Sequence, residues 1–149
     1  MEKTDVSFLL SLPLLMLWGY SSIEKVLFWQ ESYRAFLNQP FPNPWGIVLA
    51  YVVPGFEILL VILLLFPETR WWGFLGSALL LNSFTVYVGM VWIGVFPETP
   101  CNCAGLINLL NWEGHLFLNL GFFSLTVLGL WFTKRGAEAP PDGVKLKSD

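Results

Sequence analysis

The sequence predicts an all-α membrane protein folded as a bundle of four transmembrane helices, and three features carry that prediction. The 149 residues are 55% hydrophobic and 13% charged, with a mean hydropathy of +0.61. Average soluble domains hold roughly 45–50% apolar and about 25% charged residues. The charges are also unevenly placed. Val6–Ile23 and Trp71–Phe96 contain none, and uncharged, mainly apolar runs of about 18 or more residues read as membrane spans. Third, Trp29, Trp45, Trp71, Trp72, Trp112 and Trp131 fall at the ends of such runs, where amphipathic rings form interfacial belts. These features argue against a soluble enzyme and a disordered chain. A pI near 5.1 gives no basic footprint for nucleic acid.

The first span is Val6–Trp29, with Glu24 and Lys25 towards its end. Its start resembles a signal peptide, but Glu2 and Asp5 accompany Lys3, and no small-x-small site follows Leu17, so it reads as an uncleaved span. The second span is Trp45–Phe66, closed by Pro67 and interrupted by Glu57; the third is Trp71–Phe96, closed by Pro97. The fourth is Trp112–Phe132, closed by Lys134 and Arg135. Each is long enough to cross a hydrocarbon core of about 30 Å with some tilt. The two Phe-Pro-Glu-Thr copies, at 66–69 and 96–99, are a repeated way of stopping a helix, because proline cannot continue one.

Basic residues set the expected orientation. With both termini cytoplasmic, the inner side holds Lys3, Arg70, Lys134, Arg135, Lys145 and Lys147, and the outer side holds Arg34 with Lys25 nearby. An excess of Lys and Arg marks the cytoplasmic face, so the expectation is N-in and C-in. The localisation expected is the bacterial inner membrane, and the lipid bilayer is the first partner. Residues 1–133 form the transmembrane domain, and residues 134–149 read as a disordered cytoplasmic tail.

Each span carries a stripe of small and polar residues, the pattern by which membrane helices pack closely. Most of these residues need no further role. Glu57 is different: it lies about 14 Å from the cytoplasmic end of its span, where an ionisable group costs at least ~2.5 kcal/mol and normally faces protein or water. Asn82 and Asn119 lie at about 16 and 20 Å by the same rise, so a midplane cluster of Glu57, Asn82 and Asn119 is expected. It serves either as a packing lock or as a site for a proton or a small cofactor, a quinone being the candidate.

Chemistry points to the loop between spans three and four, which holds the only two cysteines, Cys101 and Cys103, in Thr99-Pro-Cys-Asn-Cys-Ala-Gly105. On the expected topology they face the periplasm, where disulfides persist. Two cysteines one residue apart cannot staple distant elements. Their Cα atoms, about 6.6 Å apart in extended chain, sit near the edge of disulfide geometry, so closure needs a bend. A strained, exposed disulfide exchanges readily with thiolates. The other readings are incidental thiols, a local loop clip, and a metal site, although zinc needs about four ligands and His115 is the one nearby candidate. His115, one turn into span four, is the candidate proton carrier beside the catalytic thiols; alternatively it pairs with Glu113, Glu24 or a loop carbonyl. Glu24 and Lys25 are expected to pair with each other or with His115. Internal relay of electrons needs two cysteine pairs, so a single pair hands them to a small oxidant such as a quinone or exchanges with proteins.

Several of these residues recur in a known family. Gly19-x-x-Ser22-x-Glu24-Lys25, Pro54-Gly-Phe-Glu57, Arg70, Asn82-Ser-Phe-Thr85-x-Tyr87, Pro100-Cys-Asn-Cys-Ala-Gly105 and Trp112-x-x-His115-Leu-x-x-Asn119 together resemble the MauE group of DoxX-like membrane proteins, especially the versions found in Bacteroidetes. The similarity spans about residues 6–132, and the cysteine loop with the following Trp-x-x-His-Leu-x-x-Asn is its most specific part. Members commonly carry Gly-Gly after the second cysteine, whereas Ala104 precedes Gly105 here. The resemblance implies a four-span, redox-associated inner-membrane protein that works beside a thioredoxin-like partner, with Cys101 and Cys103 as the exchange pair. It does not carry over the methylamine system, since fold alone does not set function.

The expected function is thiol–disulfide exchange with a periplasmic thioredoxin-like or maturing protein, quinone-linked if the pair turns over as an oxidoreductase. The rival is a non-catalytic subunit or assembly factor of a larger membrane complex, in which the polar stripes serve packing and the loop docks a partner.

Overall fold

The computed structural model describes residues 3–39, 42–95 and 112–137. Among them are five helices and no strand: α1 (Lys3–Leu27), α2 (Trp29–Leu37), α3 (Asn43–Leu65), α4 (Arg70–Trp92) and α5 (Trp112–Ala137). Four are long and apolar enough to cross a membrane, over Val6–Leu27, Pro44–Leu65, Arg70–Trp92 and Glu113–Thr133. Outward-facing side chains such as Met16, Ile58, Leu79 and Phe117 are apolar and exposed, as a lipid-facing surface requires.

The spans form a ring in which α1 and α4 each pack against both α3 and α5. Across the middle, α1 and α4 meet where the Trp18 indole Nε1 donates to Ser77 Oγ at 2.9 Å. Leu14, Trp18, Leu60, Leu64, Phe74 and Leu81 make the core around that contact. Gly129 allows α5 to lie against it, because a Cβ there would come within 2.4 Å of the Phe74 ring.

The α3–α4 turn shows how so short a connection satisfies helix ends. The last carbonyls of a helix lack partners within it. Here the Thr69 hydroxyl donates to the Leu63 carbonyl at 3.0 Å, and Arg70 Nε donates to the Leu64 carbonyl at 3.1 Å. The same guanidinium donates to Ser7 Oγ on α1 at 3.1 Å and lies 5.4 Å from the centre of the Phe8 ring. Arg70 is therefore a buried tie between three helices as well as a charge at one end of the bundle.

Three boundaries differ from the sequence expectation. The first span ends at Leu27, and the chain bends at Phe28 (φ −105°, ψ 47°) into α2, a segment expected to be loop. Trp29 and Tyr33 of α2 pack against Tyr51 of α3 in tilted and edge-on contacts, with ring centres 5.0 and 6.5 Å away. Gly46 lets the two helices cross closely, since a Cβ there would be 2.7 Å from the Phe36 carbonyl oxygen. α4 stops at Trp92 rather than Phe96, turning through Gly94 at φ 76°, a left-handed conformation that glycine adopts without strain. α5 runs on through Lys134 and Arg135 to Ala137, both being good helix formers.

Candidate functional site

Span one presents Ser21 and Lys25 four residues apart, hence on one helical face. Span two presents Glu57 three residues after Pro54. At ~1.5 Å per residue Glu57 is about 12 Å from the Leu65 end of α3 and about 21 Å from the Asn43 end. The packing of α1 on α3 brings these residues together. Lys25 Nζ lies 2.8 Å from Glu57 Oε1 and 3.1 Å from Oε2, and 2.5 Å from Ser21 Oγ. The Ser21 hydroxyl donates to Glu57 Oε1 at 3.0 Å. All three ammonium donors are thereby used. Lys25 is 2% exposed and Glu57 0%, so both charges are withdrawn from water and lipid alike.

This geometry corrects two expectations. Lys25 pairs with Glu57, not with Glu24 or His115; a buried carboxylate at mid-span demands a cation, and the long lysine stem reaches inward to supply it. The midplane cluster of Glu57, Asn82 and Asn119 does not form. α4 turns Phe74, Ser77, Leu81 and Val88 inward, and at ~100° per residue this rotation carries Asn82 to the exposed face. Asn119 is half-buried on α5. Ser21 and Arg70 were not singled out as buried polar ties from the sequence; for Ser21 the signal was the i, i+4 spacing to Lys25.

His115 sits in the first turn of α5 and is 7% exposed. Its Nε2 is buried without a hydrogen-bond partner among the described residues. Buried polar atoms are nearly always bonded, so such an orphan needs an explanation. Cys101 and Cys103, the candidate exchange pair, lie outside the described residues. The segment that carries them joins the Trp92 end of α4 to the Trp112 end of α5.

The fold and this buried polar group define a multi-pass helical membrane protein whose first two spans are joined by an ion pair. The family model described as methylamine utilisation protein MauE matches residues 3–132, nearly all of the described bundle. The chain belongs to the MauE family. No curated protein and no solved structure matches it.

Proposed function

We propose that the chain is a thiol–disulfide redox protein of the bacterial inner membrane, with both termini in the cytoplasm. It exchanges disulfides through Cys101 and Cys103 with a periplasmic thioredoxin-like or maturing protein. The observation that carries this reading is the buried Nε2 of His115, which no described residue bonds, on the helix that begins where the cysteine-bearing segment ends. An imidazole in a purely structural role would have that nitrogen bonded; an unbonded one is available to a thiol or thiolate brought to it.

In the oxidising direction a partner thiolate attacks one sulfur of the Cys101–Cys103 disulfide. The S–S bond breaks as a mixed disulfide forms, and the displaced cysteine leaves as a thiolate that takes a proton from His115. The partner's second thiol gives its proton back to His115, attacks the mixed disulfide and releases the other cysteine as a thiolate. Two electrons and one proton thereby pass from the partner, which attacked as a thiolate; the partner leaves as a disulfide, and the pair is left as one thiol and one thiolate. A membrane quinone is the class of oxidant that restores the pair, becoming a quinol as it takes the two electrons, the pair's proton and a second proton from water. The reverse direction uses the same steps.

The rival reading, a non-catalytic subunit or assembly factor, is favoured by one observation. The Lys25–Glu57–Ser21 group is satisfied by its own members and holds helices together without any ligand. Trapping separates the two readings. Cys101→Ser and Cys103→Ser variants in membranes, run on non-reducing gels, are expected to give a discrete mixed disulfide with a partner in one variant. Absence of an adduct from both, at normal membrane levels, overturns the redox reading in favour of the subunit.

A further inference from the structure

Asn82 lies about 18 Å from the Arg70 end of α4 and about 15 Å from the Trp92 end, with Trp72 and Trp92 exposed at the two ends of the helix. It is therefore an exposed amide at the middle of a span. Nearby hydroxyls on the lipid side return to their own backbone: Ser83 Oγ donates to the Leu79 carbonyl at 2.9 Å, and Ser124 Oγ donates to the Leu120 carbonyl at 2.8 Å. No hydrogen bond joins Asn82 to the described residues. Hydrocarbon offers it neither donor nor acceptor, and unsatisfied polar groups are costly there.

The surroundings of Asn82 have a spacing of their own. Leu79, Asn82, Val86, Gly89 and Ile93 follow one another at intervals of three, four, three and four, the period of a left-handed helix pair. Leu79, Asn82, Val86 and Ile93 are all exposed, and a Cβ at Gly89 would meet nothing within 4 Å. The seam therefore runs along the outer half of α4 with the amide within it and a hollow one turn from its end.

We propose that this seam is a homodimer interface, formed by α4 of a second copy of this chain around a two-fold axis along the membrane normal. An amide carries both an acceptor and a donor, so across a two-fold each Asn82 Oδ1 accepts from the other copy's Nδ2, and both side chains are satisfied at once. A second copy inserted the same way up presents its own Asn82 at the same depth, which no other membrane partner does by necessity. A single asparagine in such a seam also sets register and favours two strands. The interface is independent of the thiol chemistry, and its test keeps them apart.

The test uses full-length protein carrying Cys101→Ser and Cys103→Ser, with Val86→Cys, Leu79→Cys or, on the exposed side of α3, Ile58→Cys added one at a time. In membranes a short bis-maleimide is expected to link Val86→Cys and Leu79→Cys into dimers and to leave Ile58→Cys monomeric. Adding Asn82→Leu to Val86→Cys lowers the dimer fraction about threefold to tenfold on dilution into excess lipid, the range for interhelical hydrogen bonds in a bilayer. Asn82→Gln, which keeps the amide, retains most of the dimer. Thermal unfolding of each variant in detergent verifies that it is folded. Equal cross-linking at Ile58→Cys, a dimer fraction indifferent to Asn82→Leu, or links formed only to a different protein would each overturn the proposal.

Discussion

Lys25 and Glu57, 32 residues apart in the chain, meet at 2.8 Å with both side chains withdrawn from solvent. The pair does not make the bundle stable merely by attracting. Desolvating two charges costs about as much as their attraction returns, so a buried pair is weak evidence for net stability, whereas removing one partner strands the other.

That asymmetry gives the first prediction. Lys25→Met or Glu57→Leu alone is expected to destabilise the bundle by about 3–5 kcal/mol, while the double variant recovers most of the loss. A double-mutant cycle read from thermal unfolding in detergent checks it. Additive losses would mean that the two groups do not act as a pair.

Arg70 is expected not to tolerate lysine. Arg70→Lys loses the forked geometry that serves the Leu64 carbonyl and Ser7 together, at a cost of about 1–3 kcal/mol. Ser7→Ala should cost less, since the carbonyl contact survives. A Tm series on the three proteins measures the order.

Gly129→Ala should destabilise by about 1–3 kcal/mol through overpacking, because the added Cβ would meet Phe74 Cε1 at 2.4 Å. Combining it with Phe74→Leu is expected to return part of the loss. Equal unfolding temperatures for Gly129→Ala and the parent would show that the Phe74 ring yields freely.

Orientation is testable without any assumption about function. A membrane-impermeant maleimide added to intact spheroplasts is expected to label reduced Cys101 and Cys103, and to miss a cysteine placed at Ser148 in a Cys101→Ser/Cys103→Ser background until the membrane is opened. The opposite pattern would reverse the topology that the basic residues indicate.

What the sequence makes legible follows from the length over which each signal accumulates. The four spans are read from uncharged runs of about 20 residues and from tryptophans at their ends. α2 escapes because nine residues containing Gln30, Glu31, Ser32 and Arg34 form no apolar window. The Lys25–Glu57 pair escapes for a geometric reason. Counting residues places Lys25 at the outer end of its span and Glu57 at mid-span, and that arithmetic ignores helix tilt and the reach of a lysine stem. Asn82 misleads because polar residues in a span are assumed to face inward, while the rotation of α4 is set by Phe74, Ser77 and Leu81.

The placement of the ion pair also bears on how the chain enters its membrane. Lys25 stands two residues from the end of α1, where a long lysine stem can carry its charge towards the interface. Glu57 has no such refuge, being about 12 Å from the nearer end of α3. Synthesis runs from the N-terminus, so the cation is made before the acid it pairs with. The residue able to wait is encoded first, and the one that cannot wait is encoded second.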